Sequence, residues 1–138
     1  MSRRSDQRRD AVFALYQHDL TGRSVDSAFE RDAAPFTRAL AHATLDNREE
    51  IDDLLSRHAQ GWTIDRMSPL DRAILRVALL EILHPGYVQG ERPIPAEGAI
   101  DEAVELAKEY CAAEAPKFVN GVLAAALREI KTTGRARG

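Results

Sequence analysis

The sequence has very little cysteine and no long apolar run. Cys111 is the only cysteine among 138 residues, which excludes a framework of disulfides within the chain. The most apolar stretch, residues 74–83, is interrupted by Arg76 and Glu81, and it is far shorter than the roughly 20 apolar residues that span a bilayer. The basic N-terminus also lacks the apolar core of a signal peptide. These absences predict a soluble, cytoplasmic protein without a membrane partner.

Recognisable catalytic motifs are absent as well. None of the four histidines has a second histidine, a cysteine or a carboxylate at metal-ligand spacing, and no glycine-rich loop precedes a helix to cradle a phosphate. The acidic run at residues 49–53 is more typical of a solvated helix face than of a catalytic pair of carboxylates. We therefore expect a protein that is not an enzyme and that uses no metal or cofactor.

Positive charge is concentrated at the two ends, although the whole chain carries a net charge of −3. Residues 1–9 hold four arginines against one aspartate, a net charge of +3, and residues 128–138 also carry +3. The residues between them therefore carry −9. A basic arm on an acidic body indicates an edge that binds a polyanion; the alternative is a solvated, disordered end.

Helical periodicity runs through the whole sequence, and no segment has the pattern of a strand. Helices are predicted over most of the chain, at residues 10–20, 24–31, 34–60, 69–83, 96–111 and 116–131, and the one at 34–60 is either a single long helix or a broken one. Three prolines and two glycines make residues 85–95 a loop. No linker divides the chain, so we predict an all-α protein with a single domain at residues 1–131 and a flexible basic tail at 132–138.

The central helix has a strong start signal. Ser68 can cap it, Pro69 suits the first helical position, and the charge of Asp71 is favourable in the first turn. The residues that follow are apolar on nearly every side, which predicts a buried helix. Arg76 and Glu81 must then find partners or reach water, because unpaired buried charges are costly.

The last predicted helix contains a conflict between local chemistry and pattern. Asn120-Gly121 is normally a turn signal, yet apolar residues recur at helical spacing on both sides of it. We predict that the periodicity prevails and that Pro116 opens the helix. Because glycine costs roughly 1 kcal/mol relative to alanine inside a helix, we expect close packing of another backbone, that of the central helix, against Gly121.

The candidate binding residues lie near both ends of the chain. Arg4 and Arg8 are four residues apart and share a helix face, with Arg9 beside them. Each guanidinium can fork onto a phosphate or stack on a base. Phe118, which follows Lys117, can supply a stacking surface for single-stranded RNA; a core position for Phe118 is the alternative. We expect Lys117 and Phe118 to lie beside the arginines of the first helix.

Four segments in order resemble the NusB family of bacterial transcription antitermination factors, over nearly the whole length of the chain. Residues 8–16 resemble the arginine-rich first helix of the family, which ends in Leu-Tyr. Residues 71–76 followed by Glu81 resemble its central helix, and residues 100–108 resemble its Ile-Asn-Glu-Ala-Val-Glu-Leu-Ala-Lys block. Residues 117–123 match its Phe-Val-Asn-Gly-Val-Leu signature.

The resemblance implies a fold, a function and partners. The fold is one of about seven helices in two small helical bundles. The function is binding of boxA-type single-stranded RNA in ribosomal RNA leaders, together with NusE, which is ribosomal protein S-ten. The resemblance places both in an antitermination complex with other Nus factors on RNA polymerase.

The resemblance also implies roles for particular residues. The RNA-contacting positions of the family fall on basic and aromatic residues of two helices and on one acidic residue, namely Arg4, Arg8, Lys117, Phe118 and Glu114. Its NusE-facing positions fall on Tyr16 and Asp71, which can also staple the first helix to the body and cap the central helix. Ser5 and Asp6 stand where the family often has arginine, so we expect weaker or differently placed RNA contacts. Asp101 replaces the more usual asparagine, with little expected effect on RNA.

Two other functions fit the same residues. A NusB-like fold also serves as the RNA-binding domain of a ribosomal RNA cytosine methyltransferase, in which case a catalytic domain with a cysteine nucleophile should follow. The other alternative is a helical adaptor that homodimerises through its apolar surface, and a homodimer that covers the RNA face fits a storage state.

Overall fold

A computed structural model of the chain describes residues 3–59, 61–87 and 92–134. Its elements are six α-helices and two short 3-10 helices. The α-helices are α1 (Arg4–Thr21), α2 (Pro35–Asp46), α3 (Arg48–His58), α4 (Pro69–Leu83), α5 (Ala96–Tyr110) and α6 (Ala115–Thr133). The 3-10 helices are Val25–Ala28 and Ile64–Arg66. No strand occurs in these ranges, so the all-α prediction is confirmed.

Helix α4 is the element shared by two helical groups. It packs against α1 and α2, which form one group, and against α3, α5 and α6, which form the other. The helices of each group also contact one another, α1 with α2, α3 with α6, and α5 with α6. The expected arrangement of two small bundles is confirmed, with six α-helices and two 3-10 helices in the described residues where about seven helices were predicted.

Burial follows the apolar pattern of α4. Nine of its fifteen residues are buried, and several of its large side chains, such as Leu75, Leu79 and Ile82, are inaccessible to water. Arg76 and Glu81, the two charged residues of α4 that were expected to need partners, both have them. Arg76 forks onto Asp52, with Nε–Oδ1 and Nη2–Oδ2 distances of 2.8 and 2.9 Å.

Helix boundaries follow local chemistry, with some corrections. The helix predicted at 34–60, long or broken, is broken at Asn47 into α2 and α3, whereas the predicted helix at 24–31 is only a 3-10 turn. Ser24 caps that turn by accepting a hydrogen bond from the Asp26 amide at 3.2 Å. Pro69 opens α4 as predicted, but the Ser68 side chain makes no capping hydrogen bond. Helix α6 continues to Thr133, two residues into the predicted tail, and 135–138 lie outside the described residues.

The loop predicted at residues 85–95 is confirmed only where the structure describes it. Residues 85–87 and 92–95 are irregular, and residues 88–91 lie outside the described ranges. His84, just before the loop, bonds Glu50 of α3 at 2.6 Å, which holds the end of α4 in place.

Asn120 and Gly121 lie inside α6, as the periodicity predicts. The expected close packing against Gly121 is wrong. Both residues are exposed, and a Cβ added at Gly121 would meet nothing within 4 Å. The opposite face of α6 is buried, with Val119 and Leu123 fully so. Helix α6 is therefore stabilised by its buried face, and the glycine is tolerated as a surface position.

Candidate nucleic-acid interface

Arg8 is a buried residue, not an exposed one. Only 7 % of it is accessible, and its guanidinium forks onto Glu81 of α4, with Nε–Oε1 and Nη2–Oε2 distances of 2.8 and 3.0 Å. Its Nη1 also reaches Glu102 of α5 at 3.5 Å, and Ser5 donates to the same carboxylate at 2.6 Å. The prediction that Arg8 faces RNA beside Arg4 is contradicted, because these carboxylates hold it inside the protein.

The remaining arginines of α1 present a basic surface. Arg4 is exposed and lies over the ring of Phe36, with its guanidinium carbon 4.1 Å from the ring centroid. Arg9 pairs with Asp6 and Asp10 at 3.4 and 3.2 Å. Its side chain is one-third exposed, so it keeps part of its donor surface open to a phosphate. Arg3 is 86 % exposed and extends this surface.

A second group of predicted residues lies at the start of α6. Lys117 and Glu114 are exposed, and Phe118 is partly buried against the core. Neither Lys117 nor Glu114 makes a side-chain hydrogen bond or ion pair with any residue in the described ranges. Phe118 is therefore packed in the molecule with one portion of its side chain and open to solvent with another, and its stacking on RNA stays a prediction.

Phe118 and Glu114 line a groove of about 560 Å³. Its other walls come from the segment before α4 and from the turn between α5 and α6, through Trp62, Arg66, Met67 and Ala112. Trp62 and Arg66 are exposed, whereas Met67 is buried. Sequence reasoning missed Trp62 and Arg66, and the available signal was a lone tryptophan between Gly61 and the start of the central helix.

Arg72 fixes the segment that carries Trp62. Its Nη1 donates to the carbonyl oxygens of Ile64 and Met67 at 2.8 and 3.3 Å, and its Nε donates to Asp19 of α1 at 2.9 Å. The side chain therefore ties the 3-10 helix Ile64–Arg66 to both α1 and α4. The groove is built into the fold by these bonds.

The predicted partner-facing residues, Tyr16 and Asp71, lie in α1 and in the first turn of α4. Asp71 accepts a hydrogen bond from the Cys111 thiol just after α5; burial first, and then this carboxylate, raises the pKa of that thiol to about 12. Phe13 of α1 packs edge-on against Tyr110, with ring centroids 4.9 Å apart. Tyr16 is one turn beyond Phe13 on the same helix and is partly buried against the core. Asp71 also lines the groove.

The two basic regions, that of Arg4 and Arg9 in α1 and that of Lys117 in α6, lie at opposite ends of α4. Arg8 bonds Glu81 near the C-terminal end of α4, whereas Phe118 shares the groove with Asp71 in its first turn. Ten residues of α-helix separate these points by about 15 Å. The expectation that Lys117 and Phe118 lie beside the arginines of α1 is therefore wrong, and any ligand that contacts both regions must extend along the molecule.

Metal ligands and membrane spans are not found in the part of the chain that the structure describes. No three histidine, cysteine, aspartate or glutamate side chains there are placed to hold a metal ion. No helix there is both long and apolar enough to cross a membrane.

The molecule belongs to the class of small all-helical proteins, with two bundles that share α4, three arginines in the first two turns of α1 and a groove lined by Trp62 and Phe118. The model of the NusB family matches residues 5–128. The chain belongs to the NusB family, and the resemblance seen in four sequence segments is confirmed.

Curated relatives and solved structures agree with this assignment. The chain is 37 % identical to the transcription antitermination protein NusB of Symbiobacterium thermophilum, covering 95 % of this chain and 92 % of the relative. It is 40 % identical to the protein of the same name in Halalkalibacterium halodurans, with 95 % and 97 % covered. T. maritima NusB superposes with a TM-score of 0.79 at 32 % identity, covering 93 % of this chain and 92 % of that one. A chain from a complex of the antitermination factors NusB and NusE with double-stranded RNA gives 0.75 at 26 % identity, with 91 % and 96 % covered.

Proposed function

We propose that this protein is a transcription antitermination factor that binds boxA-type single-stranded RNA of ribosomal RNA leaders together with NusE. The observation that carries the proposal is the exposed edge formed by Lys117, Phe118 and Glu114 beside a groove that the fold holds open. The family's RNA-contacting positions fall on this edge, and a solved relative is a NusB–NusE complex with RNA. The action is binding, with no catalytic step.

The RNA contacts are divided between the two basic regions. Arg4 and Arg9 of α1 supply charge at one end of α4, and Lys117 supplies it at the other. Phe118 offers an aromatic surface on which a base can stack. Arg8 acts indirectly, because its bonds to Glu81 and Glu102 fix α1, and with it Arg4 and Arg9, against α4 and α5.

We place the NusE surface on Tyr16 of α1 and on Asp71 in the first turn of α4. Tyr16 is partly buried against the core, and burial together with the Asp71 carboxylate raises the pKa of the Cys111 thiol. Aromatic side chains that are held rigidly make strong interface contacts because little side-chain entropy is lost on binding. The RNA and NusE surfaces meet at the groove, which Asp71 and Phe118 both line. In the cell we place this complex with other Nus factors on RNA polymerase.

Titration of labelled boxA-type RNA with the protein, with NusE, and with both tests the proposal. We expect the three-component complex to be tighter than either two-component complex, and every RNA affinity to fall as salt is raised, because phosphate contacts release counterions. A scrambled RNA of equal length is the control for sequence preference. Equal affinities with and without NusE would contradict the shared binding, and no RNA binding in any combination would contradict the function.

A further inference from the structure

Trp62 has no role in the fold that accounts for its position. It is the only tryptophan of the chain, and 54 % of its surface is exposed. Trp62 lies on the segment before α4 and lines the same groove as Phe118 of α6 and the buried Met67. Large apolar side chains gathered at a groove, with polar residues around them, mark a surface that another molecule covers.

The polar groups around this groove have unused hydrogen-bonding capacity. Arg66 lines the groove, and within residues 3–59, 61–87 and 92–134 its guanidinium has no hydrogen bond or ion pair. Glu114 also lines the groove, and Lys117 is next to Phe118. Within the same described residues, the side chains of Glu114 and Lys117 likewise make no hydrogen bond or ion pair. The lining thus combines the aromatic side chains of Trp62 and Phe118 with one cation, Arg66, and two carboxylates, Glu114 and Asp71, and Lys117 adds a second cation beside it.

We propose that this groove takes an unstacked nucleobase of single-stranded RNA, stacked on Trp62, with Arg66 and Lys117 contacting the flanking phosphates. Glu114 accepts a hydrogen bond from an amino group on the edge of the base, as carboxylates do with cytosine. The inference rests on the proposed RNA binding and adds two residues, Trp62 and Arg66, to the RNA surface.

The observations favour RNA over a protein segment in this groove. Every base has a face that stacks on an aromatic ring, and the groove pairs exposed aromatic surface with cations suited to phosphate. Lys117 and Phe118 continue this surface directly into the edge already assigned to RNA. Arg72 holds the Trp62-bearing segment through the carbonyls of Ile64 and Met67, so the site is ordered before RNA arrives.

Tryptophan fluorescence reports on the surroundings of Trp62 alone, because the chain has no other tryptophan. The full chain is titrated with a short single-stranded boxA-type RNA while tryptophan emission and RNA affinity are followed together. We expect the emission to be quenched as the base stacks. Trp62→Ala should weaken RNA binding roughly tenfold, within the range that base stacking supplies, and Trp62→Phe should restore most of the affinity. Leu20→Ala is the control, since Leu20 is an apolar residue at the C-terminal end of α1 that is 57 % exposed and outside the groove lining.

A series of RNAs with one abasic nucleotide at successive positions separates the base from the backbone. One of these abasic RNAs lacks the base that stacks on Trp62. That RNA should bind the parent chain more weakly by the same factor as Trp62→Ala weakens binding of the intact RNA. The abasic RNA with Trp62→Ala should bind no more weakly than either change alone. Unchanged emission and unchanged affinity of Trp62→Ala, in a protein that binds RNA normally, would overturn the groove assignment and leave the proposed function intact. Absence of all RNA binding would overturn both. If NusE alone protected Trp62 from a soluble quencher and RNA did not, the groove would be a protein site.

Discussion

The guanidinium of Arg8 is forked onto the carboxylate of Glu81, 73 residues away in sequence, and this pair joins α1 to α4 inside the protein. The side chains of the two residues are only 8 % and 11 % exposed. Glu102 of α5 adds a third charge at 3.5 Å. An arginine in the basic N-terminal segment is thus part of the internal structure, whereas Arg4 is exposed and the Arg9 side chain is 34 % exposed.

We predict that Arg8→Ala destabilises the protein by about 3–5 kcal/mol, because it leaves the carboxylate of Glu81 without its partner in a place that water scarcely reaches. Arg8→Lys should be intermediate, since an ammonium cannot fork onto the carboxylate. Urea unfolding provides the measurement.

Arg9→Ala is the matched control, with an expected cost below about 1 kcal/mol for a surface pair. If Arg8→Ala unfolded at the same urea concentration as Arg9→Ala and lost RNA affinity instead, Arg8 would be a direct RNA contact.

Gly121→Ala should stabilise the protein by roughly 0.5–1 kcal/mol, because alanine is the better helix former and the new methyl group has open space. Thermal or urea unfolding measures the change. Gly134→Ala provides the contrast, because Gly134 has a φ of 63° in the left-handed region, where alanine is strained. A destabilised Gly121→Ala would mean that the exposed face of α6 is packed after all. A stable variant with lost RNA or NusE binding would place a partner's backbone against Gly121.

The thiol of Cys111 should react slowly with alkylating reagents in the folded protein. Its pKa is raised to about 12, by burial and by the hydrogen bond to Asp71, so little thiolate exists at pH 8. A folded-state pKa above the unfolded value also means that this group's stabilising contribution is complete below about pH 8.5 and is lost as the pH rises toward 12.

Asp71→Asn should lower the pKa of Cys111 and speed alkylation at fixed pH, since it removes the negative charge that opposes thiolate formation. The rate of iodoacetamide labelling between pH 7 and 10 is the readout (a range about the ordinary thiol pKa). Asp52→Asn is the control, because Asp52 pairs with Arg76 away from Cys111. Identical rate profiles for Asp71→Asn and the parent chain would show that Asp71 does not contact the thiol.

Elements with a repeated pattern were predictable from sequence. The spacing of apolar residues fixed the position of α4, and it placed Asn120 and Gly121 inside α6 against their turn preference. The burial of one face of each helix was predictable as well, because an apolar stripe on a helix has to face other helices. The close packing expected at Gly121 was wrong, because a helix with a large buried face can carry one unfavourable residue on its exposed side.

Single residues with distant partners were not predictable in the same way. The four-residue spacing of Arg4 and Arg8 places them near one face, but spacing cannot reveal that Glu81 and Glu102, 73 and 94 residues away, hold Arg8 inside the protein. Trp62 has no periodicity to identify it, since its role arises where the segment before α4 meets α6. The separation of the basic regions depends on the antiparallel packing of α1 and α4, which the sequence does not encode locally.

We propose that one RNA spans the two basic regions at opposite ends of α4. The salt dependence of boxA-type RNA binding tests this proposal when it is measured for the parent chain, Arg4→Gln, Lys117→Gln and the double variant. Lys108→Gln is the control, because Lys108 is an exposed lysine of α5 outside both regions. If each residue contacts one phosphate, each single substitution should lower the steepness of log K against log salt by about 0.7 and the double substitution by roughly 1.4, with no change for Lys108→Gln. A double variant with the same slope as either single variant, or a loss equal to that of Lys108→Gln, would contradict an RNA that contacts both ends.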